Sequence, residues 1–517
     1  MKIVLIQPPI QDFYDTVERL QPLGLAYLKA VLVQLPAIQV AIRDYHHGHG
    51  RTSIPLPEEL TYLRPYYNRH DTSPFSTFNQ YYHFGADYES IADDIADLNP
   101  DIVGISSLCS PYYREALYVA RIVKEVTDCP VIVGGCHPSA CPEMVLSDEN
   151  VDFIILGEGE EPVVKFVSQY TGKRDYHAVP GLGFKKDGEM IINPPAEGLE
   201  IDDIPFPDFS DFDPNLYTLR GQPVAFMMTS RSCPYKCSYC SVHHVFGNKY
   251  RMRSPDNIIE EMKIRYDQGY RIFDFEDDNF TACSGRVIKL CDRICDTFNS
   301  DITLTAMNGV CYQGLDYDVL VAMYKAGFRT LNLALVSSDD ESRRHVRRSH
   351  SLDKFIEIVT IASQIGYRIT AYQILGLPYE DLATMIDTMV TLAGLPVLMG
   401  ASIFYLTPNT ELANDFPSMN EHDIFRSRLT AMAIETENFS RDDIYTLFIA
   451  TRIINFLKRE KTYDHPRADI GRELLDRLMK EQILHGKNKE GLFPIEHFKP
   501  ETFFMLWNRI DHIESID

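Results

Sequence analysis

The stretch Ser230-Arg231-Ser232-Cys233-Pro234-Tyr235-Lys236-Cys237-Ser238-Tyr239-Cys240 decides how the rest of the chain is read. Its three cysteines stand at C-x3-C-x2-C spacing, just after a strand-like run at Val224–Met228. Cysteine thiolates hold iron–sulfur clusters, and four of them ordinarily complete a [4Fe–4S] site. Three so close together can bind three irons of one cube and leave the fourth without a protein ligand. A metal that binds and activates a further molecule needs such an open position. Two other readings stay open here: structural zinc with His243 or His244 as a fourth ligand, and three surface cysteines with no metal.

On both sides of this loop the chain alternates strand and helix patterns. Upstream, apolar runs at Lys2–Ile6, Val40–Arg43, Ile102–Ser106, Val131–Val133 and Phe153–Leu156 predict strands. Helix-period stretches at Leu23–Leu35, Tyr88–Leu98, Tyr113–Thr127 and Glu161–Tyr170 lie between them. This alternation predicts a parallel, doubly wound α/β sheet over residues 1–175. Ligands of such sheets bind at the carboxyl ends of the strands. Three loops fall there: Ser106-Ser107-Leu108, Gly134-Gly135-Cys136-His137-Pro138 and Gly157-Glu158-Gly159-Glu160. Residues 51–87, rich in Tyr, Phe and Pro, read as an insertion, either covering the core or forming a lid. Residues 176–222 read as a linker, with a hairpin signal around Lys186-Asp187-Gly188 and a proline-stiffened Ile204-Pro205-Phe206-Pro207.

Downstream, Val224–Met228, Ile272–Phe275, Thr303–Ala306, Thr330–Leu335, Ile369–Ile374 and Ser402–Tyr405 predict six strands separated by helices over 223–405. Chemistry in such βα repeats sits on the loops after the strands. Residues 406–517 change to mainly helical patterns and carry no chemical motif.

With 517 residues, the chain is expected to form two or three domains. A formal net charge of −24 argues against general nucleic-acid binding. Against that background Arg343, Arg344, Arg347 and Arg348 form a local basic cluster, read on charge alone as a solvated helix face. All eleven cysteines lie between Cys109 and Cys311, and no run of 18 apolar residues offers a membrane span. The expectation is a cytoplasmic protein with thiols free or on metal.

The cysteine loop resembles that of radical S-adenosylmethionine (SAM) enzymes, and the upstream loops resemble those of the cobalamin-dependent branch of that family. The resemblance implies an N-terminal Rossmann-like cobalamin-binding domain, a partial (β/α)6 barrel and a C-terminal helical domain closing the barrel mouth. It implies a [4Fe–4S] cluster on Cys233, Cys237 and Cys240, with SAM on the open iron. Cobalamin would be cradled by Ser106, Leu108, Gly134 and Gly135, then His137 and Pro138, then Gly157, Glu158 and Gly159. For SAM the resemblance implies Tyr239 beside the cluster, and Glu276, Asp277 and Asp278 at the amino group. Asn308 would lie near the active site, Ser337 at the ribose, Arg347 or Arg348 at the carboxylate, and Gly376 at the adenine.

Two departures stand out. The family's D-x-H-x-x-G element is present only as Asp44-Tyr45-His46-His47-Gly48-His49-Gly50, so His46 is a candidate lower cobalt ligand and a histidine-rich surface turn the alternative. Val336 stands where relatives carry a glutamate for the ribose. The implied activity is methylation of an unactivated carbon or a phosphorus centre, through methylcobalamin and a 5′-deoxyadenosyl radical. A radical rearrangement, cyclisation or ring contraction is the alternative, and a cofactor-sensing regulator or a tRNA methylthiolase fits less well. The implied partners are a small-molecule, natural-product or lipid substrate and an external one-electron reductant of flavodoxin or ferredoxin type.

Overall fold

The computed structural model describes residues 1–14, 21–67, 71, 73–299, 301–348, 350–416, 419–459, 468–480 and 497–516. Parts of the C-terminal helical expectation, including 460–467 and 481–496, therefore lie outside the described residues.

Seven strands form the first sheet: β1 (Lys2–Gln7), β2 (Gln39–Asp44), β3 (Ile102–Ser106), β4 (Val131–Gly134), β5 (Phe153–Ile155), β6 (Leu182–Lys186) and β7 (Glu189–Ile192). Their spatial order is β7-β6-β5-β4-β3-β1-β2, with β1 to β5 parallel. Strand order therefore reverses between β1 and β3, where a crevice opens. Alternate residues bury opposite faces, as a pleat requires. Val4, Ile6, Val103 and Val131 pack with Ile91 and Val119 of the helices Tyr88–Leu98 and Tyr113–Val126. Ile3, Leu5, Ile102 and Ile132 face Leu25 and Val163 of the helices Leu23–Leu32 and Glu160–Thr171.

One boundary needs correction. The β6–β7 hairpin, expected in the linker, adds antiparallel to β5 with Phe153 opposite Phe184, so the first sheet runs to Ile192. A three-residue β5 carries too little sequence to announce an antiparallel partner.

The second unit is an arc of six parallel strands: β8 (Gln222–Met227), β9 (Ile272–Phe275), β10 (Thr303–Thr305), β11 (Thr330–Val336), β12 (Arg368–Leu375) and β13 (Leu398–Ile403). They pair as β8-β9-β10 and β11-β12-β13, and an isolated parallel bridge from Leu304 to Phe328 links the two runs. The last strand begins earlier than its apolar pattern suggests. Gly400 sits inside it because a Cβ there would lie 2.3 Å from the Tyr372 ring, so the gap in the pattern is a packing requirement.

The 18-residue helix Arg441–Lys458, opened by a Ser440–Asp443 capping box, seals the edge of β13 rather than the barrel mouth. Asn455 accepts the Met399 N–H at 2.9 Å and donates to its carbonyl at 2.7 Å, satisfying an open strand edge. The insertion covers the core and is no lid. Tyr62 donates to the Ala431 carbonyl (2.6 Å), Tyr66 donates to Asp442 (2.6 Å), and Phe75 meets Phe456. It thus ties the first domain to the C-terminal segment. Among the described residues no helix is long and apolar enough to cross a membrane.

Candidate functional site

The cysteine loop is held at both ends. After β8, the Thr229 N–H and hydroxyl each donate to Asp277 at 2.5 Å, and the Ser230 hydroxyl donates at 2.7 Å. Ser230–Arg231 then pairs antiparallel with Arg251–Met252, closing the loop at its base. Farther on, the Ser238 N–H donates to the Val346 carbonyl and the Ser238 carbonyl accepts the Leu412 N–H. His243 packs into this scaffold, with Nε2 2.9 Å from the Tyr235 carbonyl and Nδ1 3.0 Å from that of Gly247.

Cys233 and Cys240 border a chamber of ≈ 630 Å³ at the carboxyl ends of the barrel strands. Asn279 Nδ2 lies 3.4 Å from Cys233 Sγ, and Arg348 Nη1 lies 3.9 Å from Cys237 Sγ. Cys240 is exposed to the chamber, yet the protein packed around it pushes its thiol up to about 11, so a bound metal is needed to hold it as a thiolate. Among the described residues no three His, Cys, Asp or Glu side chains gather around one point as ligands of a single ion would. Three thiolates on three different irons of a cube stand wider apart than that, and an all-sulfur donor set suits iron–sulfur chemistry.

Of the residues expected at SAM, the chamber gathers Tyr239, Asp278 and Asn308. Its far wall is Asn332, Tyr372, Ser402 and Tyr405, with Leu429 from the C-terminal segment. Four expectations are corrected. Asp277 is buried and consumed in bonding Thr229 and Ser230. Ser337 is fully buried and donates to Glu380 at 2.6 Å. Gly376 (φ +85°) packs under Ile444, where an added Cβ would meet its side chain at 3.3 Å. Arg347 turns outward to Glu411, and Arg348 faces the chamber in its place. Arg343 is buried and donates to the Ser337 carbonyl at 2.6 Å, while Arg344 and Arg347 are exposed, so only part of the basic cluster is a solvated face. Val336, at φ +75° beside a register shift in β11, borders the chamber; a β-branched residue there is strained.

A second cavity, a slot of ≈ 420 Å³, enters the first domain between its sheet and the helices Leu23–Leu32 and Glu160–Thr171. Its inner end is apolar, formed by Ile3, Leu5, Ile102, Ile132 and Ile155. Its mouth carries Ser106, Leu108, Gly134 and Gly135. Gly157, Glu158 and Gly159 complete the mouth, and the barrel side is formed by Asp278 and by Glu276, which, expected at SAM, lines this slot and not the chamber. An apolar recess behind a glycine-lined mouth fits a flat heterocycle on a phosphodiester tail, which is what cobalamin presents. Gly135 (φ +113°) has no room for a side chain, because a Cβ would lie 2.7 Å from the Ser107 carbonyl oxygen. That crowding follows from the two loops interlocking: the Ser107 N–H donates to the Gly134 carbonyl, and the His137 N–H to that of Ser107.

His137 and Pro138 are buried and line neither cavity. Neither His137 ring nitrogen has a hydrogen-bond partner, and burial pulls its pKa down to about 4. His46 is buried against His47 and Phe84, with Nδ1 3.4 Å from the Phe84 carbonyl, and also lines neither cavity.

Asp278 lines both cavities. Its carboxyl is open to these cavities, but partial desolvation by the surrounding walls, reinforced by Asp277, raises its pKa to about 6. The missed residues are Arg231, Met228 and Cys136 on the slot and Tyr372, Tyr405 and Leu429 on the chamber. Arg231 and Cys136 stand inside the quoted loops without being singled out there, and the other four lie in no motif and are brought in by register or tertiary packing.

A model of the radical SAM superfamily matches residues 227–392, and a model of the B12 binding domain matches residues 78–167. The chain thus carries a radical SAM domain on the barrel strands beside a B12 binding domain on the first sheet. An uncharacterized methyltransferase of Pyrococcus horikoshii is 28% identical over 386 residues, covering 74% of this chain and 75% of that protein. Cytidylyl-2-hydroxyethylphosphonate methyltransferase of Streptomyces wedmorensis is 24% identical over 412 residues, covering 73% of each. In fold, the chain is similar to the cobalamin-dependent S-adenosylmethionine radical enzyme OxsB solved with aqua-cobalamin and S-adenosylmethionine. The TM-score is 0.65 at 12% identity, over 98% of this chain and 79% of that one.

Proposed function

We propose that this radical SAM protein is a methyltransferase that uses cobalamin, SAM and a [4Fe–4S] cluster to methylate a carbon or phosphorus centre of a small molecule. The observation that carries this reading is the junction at Asp278, where the slot of the first domain meets the cysteine-lined chamber of the barrel. When bound, the cluster supplies the electron that cleaves SAM and the cobalamin supplies a methyl carrier. The chain's own residues supply placement. Arg348 is a guanidinium in the chamber wall, suited to the SAM carboxylate. Asp278 and Asn308 offer acceptors for its ammonium. The largely apolar walls of Tyr372, Ile374 and Phe404 would limit water around a reactive intermediate. The acidic chain fits a small-molecule substrate better than RNA. The electron source would be a flavodoxin- or ferredoxin-type protein of a reducing cytoplasm. The methyltransferase names of the two relatives support methyl transfer over rearrangement. The test is product mass: a gain of one CH2 in substrate supports methylation, and an unchanged or dehydrogenated mass rejects it.

A further inference from the structure

The far wall of the chamber is built by the inward faces of β11, β12 and β13. On β11, Leu331, Leu333 and Leu335 pack into the surrounding core, while the alternate residues Asn332 and Ala334 face the chamber. Asparagine is a poor strand former, and its place in the middle of an apolar strand is the kind of local mismatch that function, not packing, explains. Asn332 is half-buried, and its contacts with the protein are weak. Its Nδ2 lies 3.8 Å from the Met307 thioether, and its Oδ1 lies 3.5 Å from the Tyr372 hydroxyl. A thioether is a weak acceptor, which leaves the amide N–H groups to a ligand. Tyr372 pairs with Gly400 of β13, where a Cβ would lie 2.3 Å from its ring, so the glycine gives that ring its seat on the wall. Ser402 adds a hydroxyl beside them, and Ala334, Ile374 and Leu429 around them are apolar. Among the described residues lining the chamber, cysteines aside, the charged side chains are Asp278 and Arg348, both assigned to SAM above.

We propose that the chamber receives an uncharged part of the substrate, that the methyl acceptor is carbon and not phosphorus, and that Asn332 and Tyr372 set specificity by hydrogen-bonding a carbonyl, hydroxyl or amide next to the reacting carbon. This rests on the methyltransferase reading and narrows it. A phosphonate or phosphinate centre brings anionic oxygens, and an anion taken out of water without a partner is costly. With Arg348 on the SAM carboxylate, this wall holds amide and hydroxyl groups for such oxygens and no second cation. A neutral carbonyl or hydroxyl, by contrast, is matched in kind by an amide and a phenol. A site that hydrogen-bonds one such group also rejects analogues that lack it.

The test uses cluster-reconstituted, cobalamin-loaded protein with a one-electron reductant, SAM carrying a trideuteriomethyl group, and a small-molecule extract of the source cells. The label is then located within the product by tandem mass spectrometry and NMR. The expected product carries it on a carbon next to a hydroxyl, carbonyl or amide. A label on phosphorus, or on a carbon carrying or adjacent to a carboxylate, phosphate or ammonium group, overturns the proposal. With the precursor of that product in hand, Asn332→Ala and Tyr372→Phe are each expected to raise KM ~10-fold with kcat within about twofold of wild type. Neither side chain makes a short bond to the protein, so both variants should keep the wild-type Tm. Unchanged KM in both overturns the assignment of these two residues. Absence of any labelled product strikes the methyltransferase reading itself and takes this proposal with it, an outcome distinct from a label in the wrong place.

Discussion

Arg348 places Nη1 3.9 Å from Cys237 Sγ and Nη2 3.3 Å from the Ala334 carbonyl, so one guanidinium joins the cysteine loop to the fourth barrel strand. Its sequence neighbour Arg347 points outward to Glu411. Arg348→Ala should therefore lower the rate of SAM cleavage by on the order of 100-fold, while Arg347→Ala should stay within about twofold of wild type. Quantifying 5′-deoxyadenosine under reducing conditions checks both, and equal effects would contradict the placement.

Adjacent aspartates should behave differently. Asp277 accepts three hydrogen bonds that anchor the start of the cysteine loop. Asp277→Ala leaves buried donors unpaired and should cost roughly 2–5 kcal/mol, read as a lower Tm and poor cluster incorporation. Asp278 faces both cavities, so Asp278→Asn should leave Tm nearly unchanged and weaken SAM binding, measured by equilibrium dialysis.

Gly135→Val should expel cobalamin without emptying the cysteine loop. The new Cβ would strike the Ser107 carbonyl from a φ that L-residues avoid, costing roughly 1–3 kcal/mol and distorting the slot mouth. Iron content near wild type with cobalt content near zero is the expected metal analysis.

The extent to which this architecture was readable differs residue by residue. Short apolar strands alternating with helices announced both parallel sheets, since buried parallel strands are continuous apolar runs. The loops after β3, β4 and β5 were legible because they fall at carboxyl strand ends. Ser337 and Gly376 also sit near strand ends, yet both turn into packed interior rather than the chamber. Side-chain direction at a strand terminus depends on local twist and bulges, such as the one between Ala334 and Val336. Arg347 against Arg348 is the same problem at one-residue scale. Leu429 and Arg231 reach their cavities only through tertiary docking, which no local pattern encodes.

Stability should carry an alkaline limb set by Glu380. Burial raises its pKa to about 8, and the Ser337 hydroxyl bonded to it at 2.6 Å only partly opposes this. A carboxyl whose folded pKa lies above its unfolded value of about 4.5 contributes stability in full below that pH, and loses it as pH rises toward 8. Glu380→Gln keeps the neutral shape. Its Tm relative to wild type should therefore improve steadily from pH 5 to pH 8, and a pH-independent difference would contradict the assignment.

The most direct test of the central claim is anaerobic incubation of cluster-reconstituted protein with cobalamin, SAM and a one-electron reductant, followed by quantification of two SAM products. The account predicts both 5′-deoxyadenosine and S-adenosylhomocysteine from wild type, and no 5′-deoxyadenosine once Cys233, Cys237 and Cys240 are replaced by alanine. Zinc in place of iron, or 5′-deoxyadenosine output unchanged by loss of the three cysteines, would contradict it.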